Sequence, residues 1–459
     1  VSSDPLVVIV GAGPAGMAAA RTLVEGGLRP LVLEKGPTPG GRLWQRPATV
    51  DFERRLPGHD PDLAERRVSD FLGIVERIDW YPGTTVLDAT RDRLWALGSD
   101  GVIDQTPWDA LLLATGALDR VVPLPGWTLA GVYTLGGAQA ALKVHGCAVG
   151  RRVAFLGTGP LLWLAAAQHL AARAEVALVA DTSHRLGALA ALPDLLSDPH
   201  RLALGLACFR IVRRAAVPIR LGVRAAIVEG SETVRGISVE STGGRRHFAC
   251  DAVAMGFGLV PQTQLLDLLD VPFDLEPTSG LWLPRTDRSG RTPIPRVYAA
   301  GDGARVLGGE AARLSGERAA LAILEDLGRP TDRERAARLE RELERQERFA
   351  RGLARAFPFP TELEARTDED TVVCRCEGVT AGAIASAVRA FGRHEVNAVK
   401  ALTRCGMGRC QGRLCGLAAA RIAARAAGVP LGEAGRLRAQ PPIEPLPASA
   451  RCMAAEANG

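Results

Sequence analysis

No stretch of the chain runs eighteen apolar residues without interruption, so it offers no candidate membrane-spanning helix. Neither sign of charge dominates: a net +5 over 459 residues makes no case for nucleic acid or an anionic membrane as partner. No basic leader or cleavage site precedes the apolar strand entered at Leu6, so a cytoplasmic protein is expected, peripheral at the inner membrane only through partners. Close cysteine pairs are missing from the first 370 residues, where Cys147, Cys208 and Cys250 stand singly, as Cys452 does near the other end. Nine cysteines scattered in this way suit a reducing compartment rather than a disulfide framework, and they exclude a dithiol active site in the larger part of the chain. No residue stands out as a catalytic acid or base. His145, the one His between Ala117 and Gly157, reads as a surface or structural residue.

What is present is a set of nucleotide-binding signatures. The length allows two or three domains. LVVIVGAGPAGMAAARTLVEGG opens as a continuous apolar strand, turns through Gly11-x-Gly13-x-x-Gly16, and enters an Ala-rich helix. Gly11 permits the tight turn, Gly13 lets backbone approach a pyrophosphate, and Gly16 lets the helix pack against the strand. A second strand, PLVLE, ends at Glu34, placed to accept a ribose hydroxyl. DALLLATGA and VYAAGDGA are two further strands, ending in Thr115-Gly116 and Gly301-Asp302.

Together these stretches resemble the two-dinucleotide-binding-domain flavoprotein superfamily, the fold of glutathione reductase. The resemblance implies FAD, with Asp302 bonding the ribityl chain and Gly40-Gly41-Arg42 passing near the flavin. Pro14, Ala15, Lys35, Gly41, Arg42, Thr115, Gly116 and Gly301 join Gly11, Gly13, Gly16, Glu34 and Asp302 as the expected cofactor-binding residues.

The pattern recurs in RRVAFLGTGPLLWLAAAQHL, with Gly157-x-Gly159 after a strand and Asp181 ending the next. The third glycine position holds Leu162, which should part helix from strand or shift a phosphate, and no Arg follows Asp181 to greet a 2′-phosphate. Two readings stay open. The domain binds NADH or an adenine nucleotide such as ATP through Gly157, Gly159 and Asp181, or it keeps its fold without that chemistry.

PTDRERAARLERELERQERFARGLARAF opens with Thr331 and Glu334 in capping-box spacing and reads as a solvated helix bridging two domains. Beyond it five thiols gather: Cys374, Cys376, Cys405, Cys410 and Cys415. Helices are expected over 380–389, 396–403 and from Gly416 onward. Cys415 then lies at a helix N-terminus, which favours thiolate, and Cys405 at a helix C-terminus, which does not. The four ligands expected are therefore Cys374, Cys376, Cys410 and Cys415, with Cys405 left free or outside the ligand set. Zinc modules favour C-x2-4-C knuckles over a C-x-C pair. Nine Arg and Lys against two Asp and Glu between Thr371 and Arg425 would offset an anionic cluster, so iron–sulfur is favoured over zinc.

C-R-C-E-x-V-T followed by T-R-x-G-M-G-x-C-Q-G-x-x-C resembles the bacterioferritin-associated-ferredoxin-type [2Fe-2S] domain, whose ligands match the same four cysteines. GALDRVVPLPGWTLAGVYTLGGAQAALK, GTGPLLW and GFGLVPQTQLL resemble the FAD-containing subunits of opine or nopaline oxidases, hydrogen cyanide synthases and dye-linked proline or hydroxyproline dehydrogenases. This resemblance implies an electron-transfer subunit of a heteromeric dehydrogenase acting on CH–NH donors. A D-amino-acid-oxidase-like partner would oxidise the amine, beside a small iron–sulfur subunit, an FMN at a subunit interface and a downstream acceptor. A self-contained NADH-dependent flavin reductase or diaphorase is the alternative, and a regulatory module with structural FAD and zinc a third reading.

The expected fold is α/β, two glutathione-reductase-like Rossmann domains plus a small helical [2Fe-2S] domain. The FAD domain takes 1–117 and 253–330, the second nucleotide domain 118–252, the charged helix and linker 331–370, the cluster domain 371–425, and an extended tail 426–459.

Overall fold

Strand Val7–Val10 is buried along its length, as a strand covered on both faces must be. In the computed structural model, which describes residues 4–44 and 56–452, it pairs in parallel with Leu31–Glu34 on one side and Ala110–Leu113 on the other. Asp79–Pro82 and Val297–Ala299 complete a five-stranded parallel sheet. Strand order reverses direction at Val7–Val10, and a crevice at the carboxyl end of such a strand is where a dinucleotide binds in this topology. Strand Val297–Ala299 returns to this sheet only after a second one is complete. That second sheet is again five-stranded and parallel, ordered Ile219–Leu221, Glu175–Asp181, Arg152–Gly157, Ala252–Gly256, Val132–Thr134.

Helix Arg333–Ala356 is capped by Asp332, whose carboxylate accepts from the Arg335 amide at 2.9 Å, rather than by the Thr331 and Glu334 box. The helix does bridge two domains, with one face solvated and the other buried. Leu339 and Leu343 enter the core that holds Val7, Ile9 and Leu23, and Phe349 packs with Leu195. Leu339, Leu343, Leu353 and Phe357, which recur at mostly helical spacing in the sequence, face inward, and the dense Arg and Glu lie mostly on the outer face.

The cysteine module has its own core, built from Val373, Ile384, Val388, Val396, Val399 and Ile422. A hairpin of Val372–Cys374 and Val379–Thr380 precedes helix Ala381–Phe391, whose N-cap Thr380 accepts from the Ala383 amide. Helices Val396–Thr403 and Gly416–Ala427 complete it. Specific bonds fasten it to the rest. The Trp127 indole donates to the Val372 carbonyl at 2.6 Å, and Phe359 lies between the guanidinium groups of Arg120 and Arg421. Burial, with Arg421 nearby, brings Arg120 down to about 9.

The tail then wraps back over the first domain. Ile443 donates its amide to the Leu87 carbonyl, and Arg451–Cys452 pairs in parallel beside Val102–Pro107. The buried carboxylate of Asp267 gathers this return, accepting from Arg436 at 2.7 Å, Arg438 at 2.7 Å and the Ala439 amide at 2.6 Å. Hydrogen bonds to a charged group contribute about 1.5–3 kcal/mol each. Asp267→Ala is therefore expected to cost about 3 kcal/mol, since three donors lose one acceptor and Arg438 regains water. Earlier proteolysis between residues 430 and 450, together with a lower melting temperature, would register the loss.

Candidate cofactor sites

At the carboxyl end of Val7–Val10 the glycine loop is shaped by contact. A Cβ on Gly16 would lie 1.8 Å from the Gly11 carbonyl oxygen, so helix Pro14–Glu25 can sit this close only with glycine there. A Cβ on Gly13 would meet nothing nearer than the Gly41 Cα at 3.9 Å. Gly13 therefore borders open space at the N-terminus of that helix, where backbone amides favour a phosphate. Glu34 braces the loop: its carboxylate accepts from the Ala12 amide at 2.6 Å and the Gly36 amide at 2.7 Å, and it stays half-exposed.

The other two strand ends converge on this loop. Thr115 donates to the Gln262 carbonyl at 2.6 Å, and a Cβ on Gly303 would lie 2.8 Å from the Thr115 hydroxyl. Gly301 abuts Ala15, where an added Cβ would meet the Ala15 Cβ at 2.9 Å. Asp302 accepts through Oδ1 from the amides of Leu307 and Gly308, and Oδ2 takes no hydrogen bond among the described residues. Burial raises its pKa despite these amides. The crevice thus offers one fixed acceptor beside an open glycine loop. Pro14, Ala15, Gly41, Thr115, Gly116 and Gly301 surround it, and Arg42 is exposed at its rim.

Lys35 does something the sequence did not suggest. Its ammonium pairs with Glu444 of the tail at 3.0 Å, and Glu444 also holds Arg413, with Nη2 to Oε2 at 2.9 Å. Arg413 lies between Cys410 and Cys415 and donates to the Cys410 carbonyl. Burial alone would raise Glu444, but the two cations outweigh it and lower its pKa. The strand end that carries Glu34 is therefore tied through the tail to the cysteine loop. No sequence motif signals this link, because it depends on how the tail returns.

The second sheet presents a different crevice. Gly157 and Gly159 form the turn, and Gly159 takes φ +95 with open space beside it. Asp181, however, is buried, and both its oxygens are engaged: Oδ2 by the Trp163 indole at 2.9 Å and Oδ1 by the Ser183 amide at 2.8 Å. Asp181 is thus held inside the protein, unlike the half-exposed Glu34, whose two oxygens also take amides. Leu162, at the third glycine position, is fully buried, and Trp163 next to it covers the acid with its indole.

The five thiols meet in one array. The Sγ atoms of Cys374, Cys405 and Cys415 all lie within 4.8 Å of one another, and all three are buried. Cys410 contacts both Cys415 and Cys376; it is half-buried and Cys376 exposed. Hydrogen bonds from Cys405 and Cys415 bring Cys374 down to about 2, and the same contact with Cys374 pushes Cys405 up to about 12. Cys415 is raised by Cys374, Cys405 and Cys410, while Cys410 falls to about 5 through its bond from Cys415. Cys415 sits at the N-cap of helix Gly416–Ala427, as expected.

Cys405, expected outside the ligand set, lies within the array all the same. Its helix ends at Thr403, and Arg404 adopts φ +66, turning Cys405 inward against Cys374 and Cys415. Gly408 admits the exposed side of the array: a Cβ there would lie 2.1 Å from the Cys376 Cβ. An array of soft thiolate donors in a basic module is suited to iron–sulfur or zinc rather than to a hard cation.

Two protein families match the chain. Residues 5–347 match the pyridine nucleotide-disulphide oxidoreductase family, and residues 372–425 match the BFD-like [2Fe-2S] binding domain. An opine oxidase subunit of Rhizobium meliloti is 34% identical over 96% of this chain and 86% of its own. The hydrogen cyanide synthase subunit HcnB of Pseudomonas aeruginosa is 32% identical over 96% of this chain and 97% of its own. L-proline dehydrogenase from P. horikoshii shares the fold, with a TM-score of 0.70 at 20% identity, covering 97% of this chain and 79% of that one. Among the described residues no helix is long and apolar enough to cross a membrane.

Proposed function

The chain belongs to the pyridine nucleotide-disulphide oxidoreductase family and carries a BFD-like [2Fe-2S] binding domain, and from that premise we propose that it is the electron-accepting flavoprotein subunit of a heteromeric amine dehydrogenase. Its donor would be an amino acid or opine, oxidised at the CH–NH bond on a separate, D-amino-acid-oxidase-like subunit. The observation that carries this reading is a thiol array fastened to a flavin crevice through Lys35, Glu444 and Arg413. Relatives named as subunits of opine oxidase and hydrogen cyanide synthase support the division of labour.

When bound, FAD supplies two-electron acceptance and a [2Fe-2S] cluster single-electron transfer. The residues divide the work of holding them. Gly13 and the helix behind it receive the pyrophosphate, Glu34 a ribose hydroxyl, and Asp302 Oδ2 the ribityl chain. Cys374, Cys376, Cys410 and Cys415 hold the cluster, with the basic module offsetting its negative charge. The second Rossmann domain serves as scaffold, since its acid is covered by Trp163. An NADH-dependent diaphorase finds no support in that geometry.

Anaerobic mixing of the purified holoprotein tests the proposal. L-proline and an opine are each expected to leave its flavin oxidised, and to bleach it once the co-purifying subunit is restored. Bleaching of the isolated chain by either amine, or by stoichiometric NADH, contradicts it.

A further inference from the structure

A [2Fe-2S] cluster takes four thiolates, yet this chain brings five thiols to one place. We infer that Cys405 is a reserve ligand, able to replace Cys374 or Cys415 at the cluster, but not Cys376 or Cys410. The inference rests on the cluster reading above and adds to it a role for the one thiol the family motif leaves over.

Distance carries the argument. Thiolates sharing one tetrahedral metal at about 2.3 Å lie about 3.8 Å apart. The sulfurs of Cys374, Cys405 and Cys415 already lie within 4.8 Å of one another, so each pair needs a displacement of about 1 Å or less to share an ion. A side-chain rotation covers that without moving the backbone. Cys405 therefore stands within the same 4.8 Å of Cys374 and of Cys415 that holds between those two. Its contacts are with these two, whereas Cys376 touches the array through Cys410 at the exposed edge.

The local chain holds Cys405 ready for this. Arg404 in the left-handed region and Gly406 at φ +93 form a tight turn, and the Cys405 amide donates to the Thr403 hydroxyl. The side chain is 2% exposed, so it is kept from solvent oxidants. A buried cysteine is often only a small apolar filler. A filler, however, would give the same result wherever a ligand were removed, and a reserve ligand gives a result that depends on position. In the exchange, the Cys405 thiol releases its proton to solvent and its sulfur takes the vacated bond to iron. No electron is gained or lost.

The test compares full-length variants by iron and acid-labile sulfide per FAD and by visible absorption. Cys374→Ala and Cys415→Ala are each expected to keep at least about half of the wild-type iron and sulfide. The same changes combined with Cys405→Ala should lose nearly all of both. Cys376→Ala and Cys410→Ala should lose the cluster whether or not Cys405 is present, and Cys405→Ala alone should keep it. If alanine at 374 or 415 leaves no soluble chain, serine at the same position is compared with serine plus Cys405→Ala. Equal loss in the single and double variants overturns the inference while leaving the cluster reading intact. A wild-type chain without iron and sulfide overturns both.

Discussion

Cys410→Ala is expected to strip the chain of its iron and labile sulfide while leaving its FAD in place. Cys410 sits at the junction of the array, touching Cys415 on the buried side and Cys376 on the exposed side. Its removal takes away the thiol that joins the exposed Cys376 to Cys415, and the inward-facing Cys405 groups with Cys374 and Cys415 instead. Iron should fall from about two per FAD to a few per cent of that. The flavin survives because the core around Val7, Ile9 and Leu112 is separate from the core around Val373, Ile384 and Ile422. Metal binding contributes to the folding of a small thiolate module, so residues 372–425 should also unfold at lower temperature. Metal analysis with an absorption spectrum reads the first effect, and calorimetry the second.

The second large effect concerns the glycine loop, where two neighbouring glycines should fail in different ways. Gly16→Ala places a methyl group 1.8 Å from a backbone oxygen, which cannot rotate away as a side chain could. Helix and strand must part, at a cost of about 1–3 kcal/mol, and the helix N-terminus moves off its phosphate. Gly13→Ala meets no protein atom closer than 3.9 Å, and its φ of −76 suits alanine. It should leave the apoprotein as stable as before, yet fill the space through which backbone approaches the pyrophosphate. Both variants should bind FAD about 100-fold more weakly, about 2.7 kcal/mol, but only Gly16→Ala should also lower the melting temperature of the flavin-free chain. Equal melting temperatures for the two apoproteins would show that the close approach at Gly16 is not what the fold depends on.

These expectations rest on features that were unevenly legible in the sequence. Gly11, Gly16 and the strand before them were readable because one local geometry, a strand turning into a helix against it, demands glycine at fixed positions. Helix 396–403 and the Thr380 cap were readable for the same local reason. The position of Cys405 just past a helix end was readable, but its inward turn was not, because Arg404 takes a left-handed conformation that arginine seldom adopts. Nothing in the string TRCGM announces that the next side chain points inward. That Asp181 ends its strand was readable, whereas the Trp163 indole that covers it is a matter of tertiary packing. Glu444 and Asp267 were invisible as organisers. Lys35 lies far from Glu444 in sequence, and Arg436 and Ala439 lie 169 and 172 residues from Asp267, all brought near by a tail whose course depends on Ile443 reaching the edge strand at Leu87.

A reductive titration of the anaerobic holoprotein is the most direct test of the central claim that one chain holds both a flavin and a [2Fe-2S] centre. The account expects about three electrons per chain, two on FAD and one on the cluster, with bleaching in both the flavin and the iron–sulfur absorption bands. Uptake of only two electrons by a chain that holds zinc and no labile sulfide would contradict it.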